Sequence, residues 1–426
     1  MPSAYHELHF FSSLSHVKFS NLPNNLALPP LNNDQLAVIG DCHGNWFLIL
    51  LAAFLHGLIN LDHLTNNPLL QEEMKNLLGN ESDKSPIDYL FEYFLSLYQL
   101  KIPMHMSYMT LQAFQTKINN AEKRFREKID YLAFHPCRFL ILGDTLGDRG
   151  QIDSRTLYLI KKLKISLHLM ILFSNHDVGF LLNYFAGLDV TPYKEYVKPM
   201  RSLKTLEVLV EKGCIDVGEI NSYVHDSFLP SLKLFHYEHI GNKFILFTHA
   251  PFPLARYGTV SSFLGVFFDT STVEALKQSI DKMNEKFLML LLEQPFSLLN
   301  IDSNSGNPCI MLPNHPLFLL IWATWEDYQK GEIVIDNISS GSISEEAFLN
   351  NWGYDVLYIH GHTTSSPRND AVKKICASLD HSFGKQSFSE CHDLTIKKKS
   401  GQKLPLYRLG EGVDLEIKNS IGLLTG

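Results

Sequence analysis

Five short apolar runs recur along the chain, and each ends in a loop rich in Asp, Asn or His. Leu36–Ile39 runs into Gly40-Asp41-Cys42-His43, and Arg138–Leu142 runs into Gly143-Asp144. Leu167–Phe173 is followed by Ser174-Asn175-His176-Asp177, Phe244–Phe247 by Thr248-His249, and Val356–Ile359 by His360-Gly361-His362. Runs this short, continuously apolar and bounded by turn residues, predict buried strands. Helical patterns intervene, with Trp46–Ile59 as a buried helix and Asp153–Ile165 as an amphipathic one. An α/β fold follows, with ligands expected outside the carboxyl ends of the strands. Five polar strand ends can then converge on one point.

The spacing locates extra material. Asp144 and Asn175 are 31 positions apart, which fits one βαβ unit of roughly 30 residues. Asp41 and Asp144 are 103 apart, Asn175 and His249 are 74, and His249 and His362 are 113. Helical insertions are therefore expected at about 62–135, 186–236 and 262–330. The first carries Pro86–Leu95 and the charged Ala121–Lys128. Residues 1–34 form a polar, Pro/Asn-rich arm, and 35–426 one catalytic domain interrupted by these segments. The inserted helices are read as self-packed caps, with contact to substrate or partner as the sharper alternative.

Composition narrows the class. The chain has 426 residues, 45% of them apolar, and a formal charge of −8. This argues against a broadly basic nucleic-acid footprint. The six cysteines form no CxxC pair, which fits a reducing, cytoplasmic compartment. No secretory leader is expected from the first residues, and no apolar run reaches the roughly 20 residues of a membrane span. Phosphate-loop, GxSxG and HExxH patterns are absent. A cysteine phosphatase needs Arg six residues after its Cys. Leu48, Gly143, Ile220, His315, Ser382 and Lys397 occupy those offsets.

Nineteen histidines raise the question of metal binding. Asp41, His43, Asp144, Asn175, His249 and His362 supply carboxylate, amide and imidazole donors, a set suited to Mn, Fe or Zn rather than Ca. One carboxylate, most naturally Asp144, can bridge two cations about 3.5–4 Å apart that clamp a displacement at phosphorus. Lone residues of these types are commonly turn or packing groups. His6, His9, His56, His105 and His315 are read as such, and Cys42 as a small packing residue. His360, two residues before His362, is read as a packing or supporting group.

Taken in order, Gly40-Asp41-Cys42-His43-Gly44, Gly143-Asp144 with Asp148-Arg149-Gly150, Asn175-His176-Asp177, His249 and Gly361-His362-Thr363 resemble the calcineurin-like metallophosphoesterases. Within them the pattern is nearest the phosphoprotein phosphatase (PPP) branch. Ile375–Asp380 and Gly384-Lys385 resemble the strand and glycine turn that follow its last motif. The resemblance implies a central β-sandwich flanked by helices and a hydrolase acting on phosphomonoesters, most naturally of phosphoproteins. Direct attack by a hydroxide bridging two divalent metals, Mn first with Fe or Zn as alternatives, is implied too. By the same resemblance Asp41 and His43 hold one metal, Asp144 bridges, and Asn175, His249 and His362 complete the second. Arg149 and Asn175 contact phosphate, His176 protonates the leaving oxygen, and Asp148 orients His176. Arg256 is the candidate for a second phosphate arginine, with Arg368 as runner-up.

Three departures stand out. Gly143–Gly150 is one residue longer than the PPP form, displacing Asp148 and Arg149 unless Gly147 absorbs it as a bulge. Ser174 stands in place of Gly and Asp177 in place of Glu. Thr364 replaces a second histidine common in the wider superfamily. Two other readings stand beside the phosphatase: a nucleotide or dinucleoside polyphosphate hydrolase, and a non-catalytic phospho-binding module. Bacterial phosphatases translocated into host cells share this interrupted organisation.

Overall fold

Alternation along the strands decides the layering. In the computed structural model Leu36 and Val38 of β1 (Leu36–Ile39) face one way, and Ala37 and Ile39 the other. The same two-residue period splits β2 (Arg138–Ile141) and β3 (His168–Leu172), as pleating requires. The structure describes residues 36–55, 57–60, 68, 72, 110–148, 152–188, 201–240, 242–299, 315–332, 334–335, 338–339, 343–349, 352–363, 365–379 and 407–409. The N-terminal arm, Pro86–Leu95, Arg149, Asp380 and Gly384-Lys385 lie outside them.

β1, β2, β3 and β4 (Leu232–Lys233) run parallel in one sheet. A three-residue strand, Tyr407–Leu409, pairs antiparallel with β1 at its edge. The second sheet is built on β5 (His236–Ile240) and β6 (Lys243–Thr248), an antiparallel pair. Two strands, Asp355–His360 and Cys376–Ser378, extend it in parallel. Leu36, Val38, Leu140, Met170, Ile245, Phe247, Leu357 and Ile359 interdigitate between the sheets. The opposite faces, with Ile39, Phe139, Ile171, Leu246 and Tyr358, join the larger helical core. The chain is thus a mixed α/β fold with two sheets flanked by helices.

Helix α1 spans Trp46–Leu55. The Asn45 carboxamide accepts from Phe47 N–H at 3.1 Å and caps its start, and Gly57 (φ +67°) turns the chain after it. The expected helix to Ile59 is shorter for that reason, and Ile59 bridges Phe134 instead. Helix α2 (Leu111–Asp130) is capped by Thr110 and contains the charged run Ala121–Lys128. Phe125 packs edge-on against Trp46 with centroids 4.8 Å apart. Helix α3 (Asp153–Ser166) follows the second motif, and α4 (Asn175–Phe185) follows β3 directly. Helices Arg201–Glu211 and Val217–Tyr223 fill part of the second predicted insertion. That insertion also holds β4, a strand the hydrophobic pattern is too short to announce. The third carries a 21-residue helix, Val273–Glu293. Among the described residues no helix is long and apolar enough to cross a membrane.

Candidate metal centre

Backbone bonds draw the loops after the strands together. Cys42 N–H donates to Gly143 O (3.2 Å), Gly44 N–H to Asp144 O (2.9 Å), and Gly361 N–H to His249 O (2.7 Å). The loops are tight. His43 (φ +51°), Asp144 (φ +48°) and His362 (φ +62°) all take the left-handed conformation, uncommon for such residues and concentrated at functional sites. A Cβ on Gly143 would lie 2.5 Å from His249 Nδ1, and one on Gly361 1.9 Å from Asp41 Oδ1. Both positions need glycine.

The donors converge. Asp41, Asp144 and His249 each offer an atom within 4.8 Å of one another, as do His43, Asp144 and Asp148. All five are buried. His249 Nε2 lies 2.9 Å from Asn175 Oδ1 and 3.5 Å from Asp144 Oδ1. The His362 ring is 5.0 Å from that of His249, and the His362 N–H donates to Asp41 Oδ2 at 2.7 Å.

Each of the four site histidines has one ring nitrogen turned to a protein oxygen. His249 Nδ1 is 2.9 Å from Leu142 O, and His362 Nε2 is 3.1 Å from Trp322 O. His176 Nδ1 is 3.2 Å from Gly147 O, and His43 Nδ1 is 2.7 Å from Asp148 Oδ2. Carbonyls and carboxylates only accept, so each of these nitrogens carries the proton. In a neutral ring the second nitrogen is then a lone-pair donor, the arrangement that orients metal-binding histidines, and in a charged one it is an acid. At His249 the second nitrogen, Nε2, also faces an oxygen, that of the Asn175 carboxamide at 2.9 Å; with Nε2 unprotonated the two atoms are a pair of lone-pair donors that one cation can share. Asp144 Oδ1 is buried and accepts no hydrogen bond, a costly state without a compensating charge. The donor set therefore fits divalent metal. Burial would raise the Asp144 carboxyl, but the neighbouring His176, His249 and His43 hold it well below the usual range.

Asp148 departs from its expected place. Its Oδ2 is 3.6 Å from His176 Nε2, outside hydrogen-bond reach, and its short contact is with His43. The extra residue is taken up at Gly147, whose φ is +68°, and the Gly147 carbonyl supplies the hydrogen bond to His176. Arg149 lies outside the described residues. Arg256 ends the turn Leu254–Arg256, half-buried, where its charge acts on the buried Tyr328 hydroxyl. Arg368 is exposed, and its N–H donates to Glu345.

Several supporting groups escape sequence reasoning. The Ser174 hydroxyl accepts from Asp144 N–H (2.8 Å) and donates to Asp177 Oδ2 (2.6 Å), whose Oδ1 accepts from Leu146 N–H (3.1 Å). Ser174 also caps α4, so the Ser-x-x-Asp spacing of a capping motif was the available signal. Trp325 Nε1 donates to His360 Nε2 at 3.1 Å, which makes His360 the supporting residue expected of it. Burial and the charges of Asp41, Asp177 and Asp144 push the Cys42 thiol well up, leaving it an inert packing group.

Comparison with known proteins places the chain in a family. Residues 138–385 match the family described as "WipA-like, phosphatase domain". That is more than half of the chain, and the chain belongs to this family. A solved structure, the phosphatase domain from the Legionella effector WipB, superposes with a TM-score of 0.53 at 19% identity. The match covers 78% of this chain and all of that one. No curated protein matches the sequence.

Proposed function

We propose that this phosphatase domain is a dinuclear-metal phosphomonoesterase acting on phosphoproteins. The observation that carries the reading is the convergence of lone pairs from Asp41, Asp144, Asn175 and His249 at strand ends from both sheets. Asp41 and His43 would hold one cation, Asn175, His249 and His362 a second, with Asp144 shared. Mn is the first choice for both, with Fe or Zn as alternatives. When bound, such ions supply Lewis acidity and a water of lowered pKa. Arg149 and Asn175 would bind phosphate oxygens, and Arg256 is the further candidate on the loop after His249. His176 would donate the proton from Nε2 to the leaving oxygen as the phosphorus–oxygen bond breaks. The Asp148 Oδ2 lies 3.6 Å from that nitrogen. General-acid assistance of this kind is worth about 10²–10⁴-fold.

Residues 35–426 are read as one catalytic unit with insertions. The WipB phosphatase domain comes from a Legionella effector, which supports, by analogy, delivery into a host cell. The test is hydrolysis of p-nitrophenyl phosphate and phosphopeptides with Mn²⁺, with EDTA and in Asp144→Asn. Chelation should abolish turnover. The substitution should lower kcat/KM by at least about a hundredfold, the upper cost of losing even a supporting group, with loss of bound metal. Activity surviving both treatments overturns the reading. Faster turnover of diadenosine tetraphosphate than of phosphopeptide would move the substrate to nucleotides.

A further inference from the structure

The second motif holds one residue more than the PPP pattern, and the structure shows what secures it. Gly147 takes the left-handed conformation. Its N–H donates to both oxygens of the Asp153 carboxylate, each at 3.1 Å. Its carbonyl lies 3.2 Å from His176 Nδ1. Asp153 is fully buried at the first position of α3. The next peptide is held from the other side, where Ser202 N–H donates to Asp148 O at 2.9 Å. A glycine with positive φ has wide backbone freedom, so an unanchored Gly147 could swing its carbonyl away from the imidazole. The carboxylate pins the N–H on one side of that carbonyl and Ser202 pins the Asp148 carbonyl on the other, which confines the Gly147 carbonyl between them.

We propose that Asp153 is a positioning residue for the general acid: by holding the Gly147 N–H it confines the carbonyl of the same residue, which orients His176. Asp153 also meets the Ser202 side chain, and it reaches His176 through Gly147. Its hydrogen-bonding role needs an acceptor oxygen at that spot rather than a charge. The inference rests on His176 being the acid, and the experiment separates the two.

Steady-state kinetics would compare p-nitrophenyl phosphate, whose leaving group departs readily, with phenyl phosphate, whose leaving group needs the proton. Misorienting the acid lowers kcat on phenyl phosphate by about tenfold more than on p-nitrophenyl phosphate, a fraction of what general acids contribute. That selective loss is expected for Asp153→Ala, with bound metal and KM little changed. Asp153→Asn, which keeps an acceptor, should recover most of it. Asp153→Glu, which misplaces the acceptor by one methylene, should show the selective loss again and serves if the alanine variant does not fold. Equal losses on both substrates, or loss of metal, overturn the inference. His176→Asn is the control. If it shows selectivity while the Asp153 variants do not, the positioning role fails alone. If it shows none, the acid assignment falls, and the inference with it.

Discussion

The site histidines gain their chemistry from carbonyls and carboxylates that no motif names. Leu142 O, Trp322 O, Gly147 O and Asp148 each face one ring nitrogen, which leaves the other for the ligand or acid role proposed above. Residues of this kind were visible as letters, but their partners lie up to 107 positions away. Burial also shifts groups behind the site. Glu207 is pushed up to about 7 by burial, with Asp153 adding to the rise and Lys204 opposing it. In the unfolded chain a Glu releases its proton near pH 4.3. Between there and pH 7 the folded state binds more protons, so stability falls as pH rises through that window and then levels. Glu207→Gln should reduce that fall. Urea denaturation at pH 5 and pH 8 should show a smaller difference in the variant, by roughly 1–3 kcal/mol, the scale for a poorly compensated buried polar group. An unchanged difference would count against it.

Among the elements, α2 shows how inserted chain is tied to the core. Its helical character was legible in the charged run Ala121–Lys128, but not the face it buries. Phe114, Ile118, Phe125 and Ile129 line that face. Glu122 on it meets Arg155 of α3, Oε1 to Nε at 2.8 Å, with the guanidinium 5.1 Å from the Phe125 ring. Both side chains are buried, so removing one partner strands the other. Arg155→Met should destabilise the fold by about 3–5 kcal/mol, while Arg155→Met with Glu122→Leu should regain most of that. Chemical denaturation measures both, and two equally unstable variants would assign the cost to packing instead. The segment carrying helix Trp325–Lys330 is a second tie. Tyr328 holds Pro251 O at 3.0 Å and Trp325 holds His360, bracing the loops of two histidine donors at once.

At the scale of the molecule, the two sheets exist to aim their ends. Parallel pairing of β1, β2 and β3 brings Asp41, Asp144 and Asn175 to one edge. Parallel pairing of β6 with Asp355–His360 does the same for His249 and His362. Because the donors are assembled only by the folded chain, a metal bound there would stabilise that state. Free ion at 100 times its dissociation constant should add about 2.7 kcal/mol per independent site. Melting with EDTA and then with added Mn²⁺ should show a rise in Tm that Asp144→Asn lacks. A rise of equal size in that variant would move metal binding elsewhere.

Strand runs, the polar loops that end them and the residues at those ends were legible in the sequence alone, as was the long spacing between some of the motifs. These are local properties, set by side-chain type and by periods of a few residues. Tertiary structure alone decided which lone pairs face each other, that Asp148 meets His43 rather than His176, and that Asp153 anchors the extra glycine. Those outcomes depend on sub-ångström registration between elements distant in the chain. Packing sets that registration, and no short window of sequence encodes it.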